Sequence, residues 1–137
     1  MSRFLFVYGT LMKGCRNHKY MKGKYLNKWN AYTKGKLYHL RDENYPALLQ
    51  GNDRVRGELY EIENLQEKIE DIDQLENYHK NNIYFSEYIR AEIDVVTEEG
   101  KKIKADAYLY NVIDIDKFLQ NSMYIPEGYW KKFKIRV

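Results

Sequence analysis

Two alternating runs joined by a short turn constrain the fold of this chain most strongly. The segment from Tyr84 to Val96 alternates, with one face formed by Ile89, Ala91, Ile93 and Val95 and the other by Tyr88, Arg90, Glu92 and Asp94. A second run, Ile103–Leu109, has the same period of two and follows the turn-forming segment Glu98–Lys101. Because side chains of a strand alternate between the two faces of a sheet, the two runs predict an antiparallel hairpin.

The rest of the chain is predicted to add further strands and short helices. Phe4–Tyr8 is a continuous apolar run ended by Gly9, which is typical of a strand buried on both faces. Five or six strands with few helices indicate an α+β protein with a closed or nearly closed sheet. The other predicted elements are strands at Lys34–Leu40 and Val55–Ile62, an extended segment at Tyr45–Leu48, helices at Asn17–Leu26, Leu65–Glu76 (capped by Asn64 and ended by Asn77) and Asp114–Leu119, and a loop at Ser122–Trp130.

Length and composition favour a soluble protein in a reducing compartment. The 137 residues are predicted to form one domain spanning residues 1–137. The single cysteine, Cys15, excludes an internal disulfide, and the N-terminus lacks the pattern of a signal peptide, so we expect a cytoplasmic location. The net charge of +3 is dispersed along the chain, and we predict neither a nucleic-acid nor a membrane partner. The basic run Lys131–Arg136 leaves open a phosphate-binding strip as an alternative.

One acidic residue, Glu76, breaks the polar and apolar pattern of the helix predicted at Leu65–Glu76. At about 100° per residue, Glu76 projects between the directions of Ile69 and Ile72, on the apolar stripe. The other acids of this helix project away from that stripe, as a solvated face requires. Burial and the negative end of the helix dipole both raise the pKa of such a carboxyl. A raised pKa suits a general acid/base. The alternative is that the last turn of the helix extends beyond the core, which would leave Glu76 on the surface.

Short motifs spread over nearly the whole chain resemble those of the γ-glutamyl cyclotransferase-like (AIG2-like) family. Each motif is common by itself, and their order and spacing together make the resemblance specific. In this sequence they are Val7-Tyr8-Gly9-Thr10-Leu11, Gly14, Asn17-His18, Tyr45-Pro46-Ala47-Leu48, Val55-Arg56-Gly57-Glu58-Leu59-Tyr60, Asp73-x-x-Glu76 and Tyr88-x-Arg90.

The resemblance implies a fold, a reaction and a set of site residues. The implied fold is a small mixed β-barrel flanked by short helices. The implied reaction closes a γ-glutamyl group into 5-oxoproline and releases its amine, with no cofactor and no metal. Glu76 falls on the catalytic glutamate, and the implied substrate-binding residues are Tyr8, Gly9, Thr10 and Leu11. The leaving group stays open among an amino acid, a lysine side chain and a metabolite amine, and the oligomeric state is not predicted.

Other residues and functions were weighed against this interpretation. Tyr88 and Arg90 share a strand face near the expected substrate, but Arg90 is more typical of a surface residue paired with Glu92 or Asp94. Asp73, one turn before Glu76, either orients Glu76 or is an ordinary exposed acid. Glu76 and His79 together supply too few ligands for a metal site. A non-catalytic binding module on the same fold is the alternative function, and a basic nucleic-acid-binding barrel is a third.

Overall fold

Six strands and several short helices make up residues 2–136, the part of the chain that a computed structural model describes. The helices are short and lie between strands or at the C-terminal end of the described chain. The strands are β1 (Ser2–Val7), β2 (Asn27–Leu40), β3 (Tyr45–Glu63), β4 (Tyr88–Thr97), β5 (Lys102–Tyr110) and β6 (Ser122–Ile125), and the helices are α1 (Leu65–Lys68), α2 (Glu70–Leu75), α3 (Ile115–Asn121) and α4 (Trp130–Arg136), with 3₁₀ turns at His18–Tyr20 and Ile83–Phe85.

Strands β1 to β5 close into a mixed barrel. Their order is β3-β1-β5-β4-β2, and β2 pairs again with β3, which completes the circle. The β1–β5 pairing is parallel and the others are antiparallel, including the predicted β4–β5 hairpin. Strand β6 extends the sheet beside the end of β2. The predicted α+β class and mixed barrel are therefore confirmed.

The core lies around β1, which pairs with β3 on one side and β5 on the other. Leu5 and Phe6 are fully buried although they point to opposite faces of the strand. Both faces of β1 are therefore covered, as the apolar run predicted, and each such side chain contributes about 1.5–3 kcal/mol by burial. Because β1 is held on both edges and both faces, the loop that follows it starts from a fixed point.

Strands β2 and β3 are longer than the sequence predicted. β2 begins at Asn27 rather than Lys34, and the segments predicted separately at Tyr45–Leu48 and Val55–Ile62 belong to one strand. All of β2 pairs with β3, and the register shifts between Gly35 and Lys36, where residues 50–52 of β3 have no partner in β2. The pairing on both sides of this irregularity joins the two predicted segments into one strand.

Three further boundaries differ from the prediction. Asn17–Leu26 contains only the 3₁₀ turn His18–Tyr20, because Gly23 adopts a positive φ of 75° that interrupts a helix. β4 begins at Tyr88, four residues later than predicted, because Ile83–Phe85 forms a 3₁₀ turn. Part of the predicted loop at Ser122–Trp130 is β6, which forms because β2 offers an unpaired edge there.

The helix predicted at Leu65–Glu76 is divided at Ile69 into α1 and α2. Asn64 has a left-handed conformation (φ 55°) and makes no capping hydrogen bond through its side chain, so the predicted cap is wrong. The predicted end is confirmed, since Asn77 adopts the left-handed conformation (φ 53°) that ends many helices. Ile69 and Ile72 remain buried, and the apolar stripe therefore persists through the break.

The shorter helices have simpler explanations. The side chain of Asp114 accepts hydrogen bonds from the backbone N–H groups of Asp116 and Lys117, which caps α3 and fixes its start. The basic run at Lys131–Arg136 lies within α4, where Phe133 and Ile135 separate its basic residues. Every helix among residues 2–136 is too short or too polar to cross a lipid bilayer.

Candidate active site

A cavity of about 150 Å³ opens where β1 ends, beside the C-terminal end of α2 and the first residue of β4. The structure brings all of the predicted site residues to this cavity, although Glu76 is distant from the others in the sequence. They are Tyr8, Gly9, Thr10, Leu11 and Glu76. Closure of the barrel accounts for this, because β1, β3, β4 and β5 meet at this end.

The loop after β1 turns its carbonyl groups toward its own backbone. The Gly9 carbonyl accepts from the Met12 N–H at 3.1 Å, and the Thr10 carbonyl accepts from the Asn17 N–H at 2.9 Å. The N–H groups of Gly9, Thr10 and Leu11 donate to no acceptor within residues 2–136. Since backbone donors are normally paired, these three beside a cavity are suited to bind an anionic or carbonyl oxygen.

Gly9 is required by packing as well as by its place at the cavity. A Cβ atom at this position would lie 2.5 Å from Cγ of Pro46, closer than real Cβ contacts. Pro46 is buried and lines the cavity itself. The family resemblance implies that Gly9 binds substrate, and the structure adds a steric role against Pro46.

The carboxyl group of Glu76 faces the cavity without a protein partner. Glu76 follows the last residue of α2, and no hydrogen bond or ion pair to its carboxyl occurs in the described part of the chain. In that same part, no buried side-chain oxygen or nitrogen lacks a partner, so the free Glu76 oxygens must be open to the cavity. Burial, followed by repulsion from Glu87, raises the pKa of Glu76 to about 7.

Two tyrosines beside Glu76 have their hydroxyl groups anchored to the backbone. The Tyr8 hydroxyl donates to the carbonyl of Tyr108, and the Tyr88 hydroxyl donates to the carbonyl of Pro46, each at 2.5 Å. Burial raises the pKa of both tyrosines, and the negative charge of Glu76 adds to the effect. Tyr8 is therefore a core aromatic and a cavity residue at once, whose anchored hydroxyl leaves Glu76 unbound.

An ionic network fixes α2 against the hairpin. Arg90 holds the carboxylate of Asp73 through two hydrogen bonds of 3.0 and 3.3 Å, and it reaches Asp106 at 3.3 Å. The Tyr108 hydroxyl also donates to Asp73, at 2.5 Å. Bidentate pairing of this kind is directional, and Asp73 lies one turn before Glu76. The roles left open for Arg90 and Asp73 therefore have a structural answer, which is to hold the helix that carries Glu76.

A second cavity carboxyl, Glu87, was not predicted from the sequence. It immediately precedes β4, and the Tyr45 hydroxyl donates a hydrogen bond to it. Burial raises the pKa of Glu87 further than the hydrogen bond from Tyr45 lowers it. Glu87 falls within the longer strand predicted at Tyr84–Val96, and no role was predicted for it. Its position next to Tyr88 of a recognised motif was the one available signal.

The carboxylate of Glu58 is buried at the far side of the loop and is fully engaged. It accepts from the N–H of Lys13 at 2.8 Å and from the Tyr60 hydroxyl at 2.9 Å, and the ammonium groups of Lys28 and Lys131 lie at 3.4 and 3.5 Å. Burial alone would raise the pKa of Glu58, but these donors and charges outweigh it and the pKa is lowered. This residue ties the loop to the barrel.

Comparison with known proteins shows the family. The profile of the family described as gamma-glutamyl cyclotransferase, AIG2-like, matches residues 5–132. The chain is 35% identical over 132 residues to a gamma-L-glutamyl-butirosin B gamma-glutamyl cyclotransferase from Niallia circulans, covering 96% of this chain and 78% of that protein. The chain therefore belongs to the γ-glutamyl cyclotransferase, AIG2-like family, and its enzyme class is γ-glutamyl cyclotransferase.

Solved structures agree with this placement. An AIG2-like protein from Mus musculus has a TM-score of 0.68 at 25% identity, over 93% of this chain and 88% of that one. YkqA from Bacillus subtilis has a TM-score of 0.68 at 27% identity, over 98% of this chain. This chain spans 42% of the length of YkqA, so that protein contains additional sequence.

Proposed function

We propose that this chain releases 5-oxoproline and a free amine or amino acid from a γ-glutamyl-amine substrate, with Glu76 as its one general acid/base. The observation that carries the proposal is a carboxyl without a protein partner that shares a small cavity with three unpaired backbone N–H groups. A base and a set of oxyanion donors around one reacting carbonyl are what acyl transfer requires.

The reaction is an internal displacement. The α-amine nitrogen of the γ-glutamyl group attacks its own γ-carbonyl carbon, a C–N bond forms to close the five-membered ring, and the C–N bond to the leaving amine breaks. The α-nitrogen starts as an ammonium and ends as a lactam N–H, so it gives up two protons. The leaving nitrogen gains two protons and departs as an ammonium, which balances the reaction without water.

Glu76 is suited to carry both protons in turn. It accepts a proton from the attacking nitrogen and returns it to the leaving nitrogen, and then repeats the cycle. A carboxyl with a pKa of about 7 takes up and releases protons with little cost near neutral pH. The absence of a protein partner among the described residues leaves both carboxyl oxygens free to move these protons.

The loop after β1 supplies binding groups. In this mechanism the N–H groups of Gly9, Thr10 and Leu11 hold the γ-carbonyl oxygen as it becomes negative and the substrate α-carboxylate. Tyr8 forms a wall of the same cavity and limits its width. Preorganised donors of this kind contribute about 2.7–4 kcal/mol each to a transition state when they hold an oxyanion.

The test is direct measurement of product. Wild-type protein is incubated with a panel of γ-glutamyl amines and γ-glutamyl amino acids, and the products are measured by mass spectrometry. We expect 5-oxoproline and the free amine to be released in equal amounts. Glu76→Gln is the matched variant, because it keeps the side-chain size and removes the proton carrier. Binding of the panel without turnover by wild-type protein would support the alternative, a non-catalytic binding module.

A further inference from the structure

Glu87 gives one wall of the cavity an acidic and aromatic character. Its Oε2 atom accepts from the Tyr45 hydroxyl, and Tyr45 lines the same cavity. Glu43 lies close enough to add to the raised pKa of Tyr45, Glu87 and Tyr110. We call these four residues, Glu43, Tyr45, Glu87 and Tyr110, the acidic shelf.

The negative charge of the shelf has no protein counter-ion. In the described part of the chain, no Lys or Arg forms an ion pair with Glu43, Glu76 or Glu87, whereas the buried acids Glu58 and Asp106 both have cationic partners. Arg16 lines the cavity, but its guanidinium donates to the Asn44 carbonyl and not to a shelf carboxylate. Within residues 2–136, the fold gives cationic partners to these two buried acids and gives none to the half-buried Glu76 and Glu87 or to the exposed Glu43, which accepts only from the amide of Asn121.

Aromatic rings beside Glu87 make this part of the cavity suited to bind a cation. The ring centroids of Tyr45 and Tyr88 are 6.1 Å apart, and those of Tyr88 and Tyr110 are 5.3 Å apart. Aromatic faces attract ammonium groups, most strongly where water is partly excluded. Only Oε2 of Glu87 is hydrogen-bonded among residues 2–136, so Oε1 remains open as an acceptor.

The shelf also leads away from the cavity toward a second depression. Glu43 and Tyr110 line this depression, together with Asp42 and Asp114. The two sites meet at Glu87, whose carbonyl accepts from the N–H of Asn111, another residue of the depression, at 2.9 Å. Arg41 and Lys117 also line the depression, so a leaving group that extends beyond the γ-glutamyl unit has a surface of mixed charge to follow, with three acids against two bases.

We propose that the acidic shelf selects substrates whose leaving amine carries a second, positively charged group, such as a diamine or polyamine. The proposal rests on the cyclotransferase function proposed above and adds the chemical class of the leaving amine. The second ammonium sits against Oε1 of Glu87, with Tyr45 and Tyr110 beside it and Glu43 contributing at longer range. An anionic leaving group, such as an amino acid with a free carboxylate, is disfavoured by the same charges.

Glu87 has a competing role that makes a different prediction. It lies near enough to Glu76 to raise the pKa of that residue, and the competing role is to hold the substrate α-ammonium, which every γ-glutamyl compound carries. If that were its role, Glu87→Gln would slow all substrates by the same factor. The charge-selection role slows only those with a cationic leaving group.

Three substrates of equal length separate these roles. They are γ-glutamyl derivatives of 1,5-diaminopentane, 5-aminopentanol and 6-aminohexanoate, which end in a cation, a neutral hydroxyl and an anion. We expect wild-type kcat/KM to favour the cationic over the neutral compound by about tenfold, equivalent to about 1.4 kcal/mol. Ratios within one variant cancel any change in the pKa of Glu76, because all three substrates use that residue.

Two shelf variants and one control complete the kinetic test. Glu87→Gln should reduce the cation preference to less than about threefold, and Glu43→Gln should reduce it partly, since charge effects fall with distance. Glu99→Gln, an exposed change in the β4–β5 turn at the other end of the hairpin, should leave the ratio unaltered. Equal kcat/KM for the three substrates, or an equal loss for all three in Glu87→Gln, would overturn the proposal.

Binding measurements keep this proposal separable from the cyclotransferase function. Dissociation constants for the three compounds are measured by calorimetry on the Glu76→Gln variant. This measurement of binding does not depend on turnover. A lower dissociation constant for the cationic compound, without release of 5-oxoproline by wild-type protein, would support charge selection by the acidic shelf and overturn the cyclotransferase function. Release of 5-oxoproline with equal constants would support the function and overturn the shelf.

Discussion

Glu58 and Glu76 are both carboxyls taken largely out of water, and the structure gives them opposite properties. Glu58 accepts hydrogen bonds from Lys13 and Tyr60 and lies near two lysines, and its pKa is lowered. Glu76 has no partner among the described residues, and its pKa rises to about 7. Burial raises the pKa in both cases, so the surrounding donors and charges decide which acid stays ionised and which exchanges protons.

The two carboxyls have different relations to the loop after β1. Glu58 accepts from the N–H of Lys13, whereas Glu76 lines the same cavity as Gly9, Thr10 and Leu11. A permanently ionised acid is a good anchor, since its hydrogen bonds do not change with pH near neutrality. An acid with a pKa near 7 is a poor anchor and a good proton carrier. Glu58 is therefore suited to a structural role, and Glu76 to the catalytic role proposed for it.

The largest expected effect is on turnover. Glu76→Gln should reduce kcat by 10²–10⁴-fold, the usual cost of removing a general acid/base. Glu58→Gln should keep the loop largely in place, and its kcat should stay within about tenfold of the wild-type value, which corresponds to about 1.4 kcal/mol. Steady-state assays of 5-oxoproline release measure both. A Glu76→Gln enzyme within threefold of wild type would remove Glu76 from the mechanism.

Stability should move in opposite directions for the same two variants. At pH 8 we expect Glu58→Gln to lose about 1–3 kcal/mol of unfolding free energy, because charge-assisted hydrogen bonds are weakened and two lysines lose their partner. Glu76→Gln should gain about 1–2 kcal/mol, since an unpaired, partly buried carboxylate is replaced by a neutral amide. Urea unfolding followed by circular dichroism gives both values, and a loss for Glu76→Gln would contradict the comparison.

The stability of the loop after β1 should depend on the contact between Gly9 and Pro46. Gly9→Ala places a methyl group against the Pro46 ring and should cost about 1–3 kcal/mol of stability by overpacking. Pro46→Ala, measured alone as the control, removes the obstacle. The double variant should recover part of the loss in thermal unfolding, and strictly additive losses would show that Gly9 acts through something other than Pro46.

The smallest effect is the pH dependence of stability. The pKa of Glu76 is 4.5 when unfolded and about 7 when folded, so its ionisation favours the unfolded state increasingly as pH rises from 4.5 to 7. Wild type should therefore lose stability relative to Glu76→Gln across that window and no further above it. Glu58 has a lowered pKa, so its contribution is present above its unfolded value and is lost only as the pH falls through its folded one.

Thermal melting of wild type, Glu76→Gln and Glu58→Gln from pH 3.5 to pH 8 tests these windows. The difference between wild type and Glu58→Gln should stay constant from pH 6 to pH 8 and shrink in acid. A constant difference between wild type and Glu76→Gln over the whole range would contradict the raised pKa of Glu76.

The strand pattern was the part of the fold most readily predicted from sequence. The β4–β5 hairpin and the buried strand β1 follow from periods and apolar runs that local residues set by themselves. The start of β2, the continuity of β3 and the strand β6 were missed, because a pairing partner distant in sequence decides them. The single domain over residues 1–137 and the cytoplasmic location stay predictions.

In the candidate site, too, the sequence identified residues with a local pattern and missed those whose role depends on distant partners. Glu76 stood out because a lone acid on an apolar stripe is visible in the order of residues, and the motif at Tyr8–Leu11 marked the loop. Glu87 did not stand out, since its meaning depends on Tyr45 and on Glu76, which come from different elements. Arg90 and Asp73 were likewise ambiguous until the helix and the hairpin were seen to meet.

The sequence by itself therefore determined which segments alternate, which run is buried, and which acid lies on an apolar face. These properties are local, since they depend on neighbours a few positions apart along one strand or helix. Only the tertiary structure decided that Gly9 to Leu11 and Glu76 share a cavity, and that Glu58 is paired while Glu76 is not. The physical reason is that a pKa and a cavity depend on which distant groups closure of the barrel brings together, and residue order does not contain those distances.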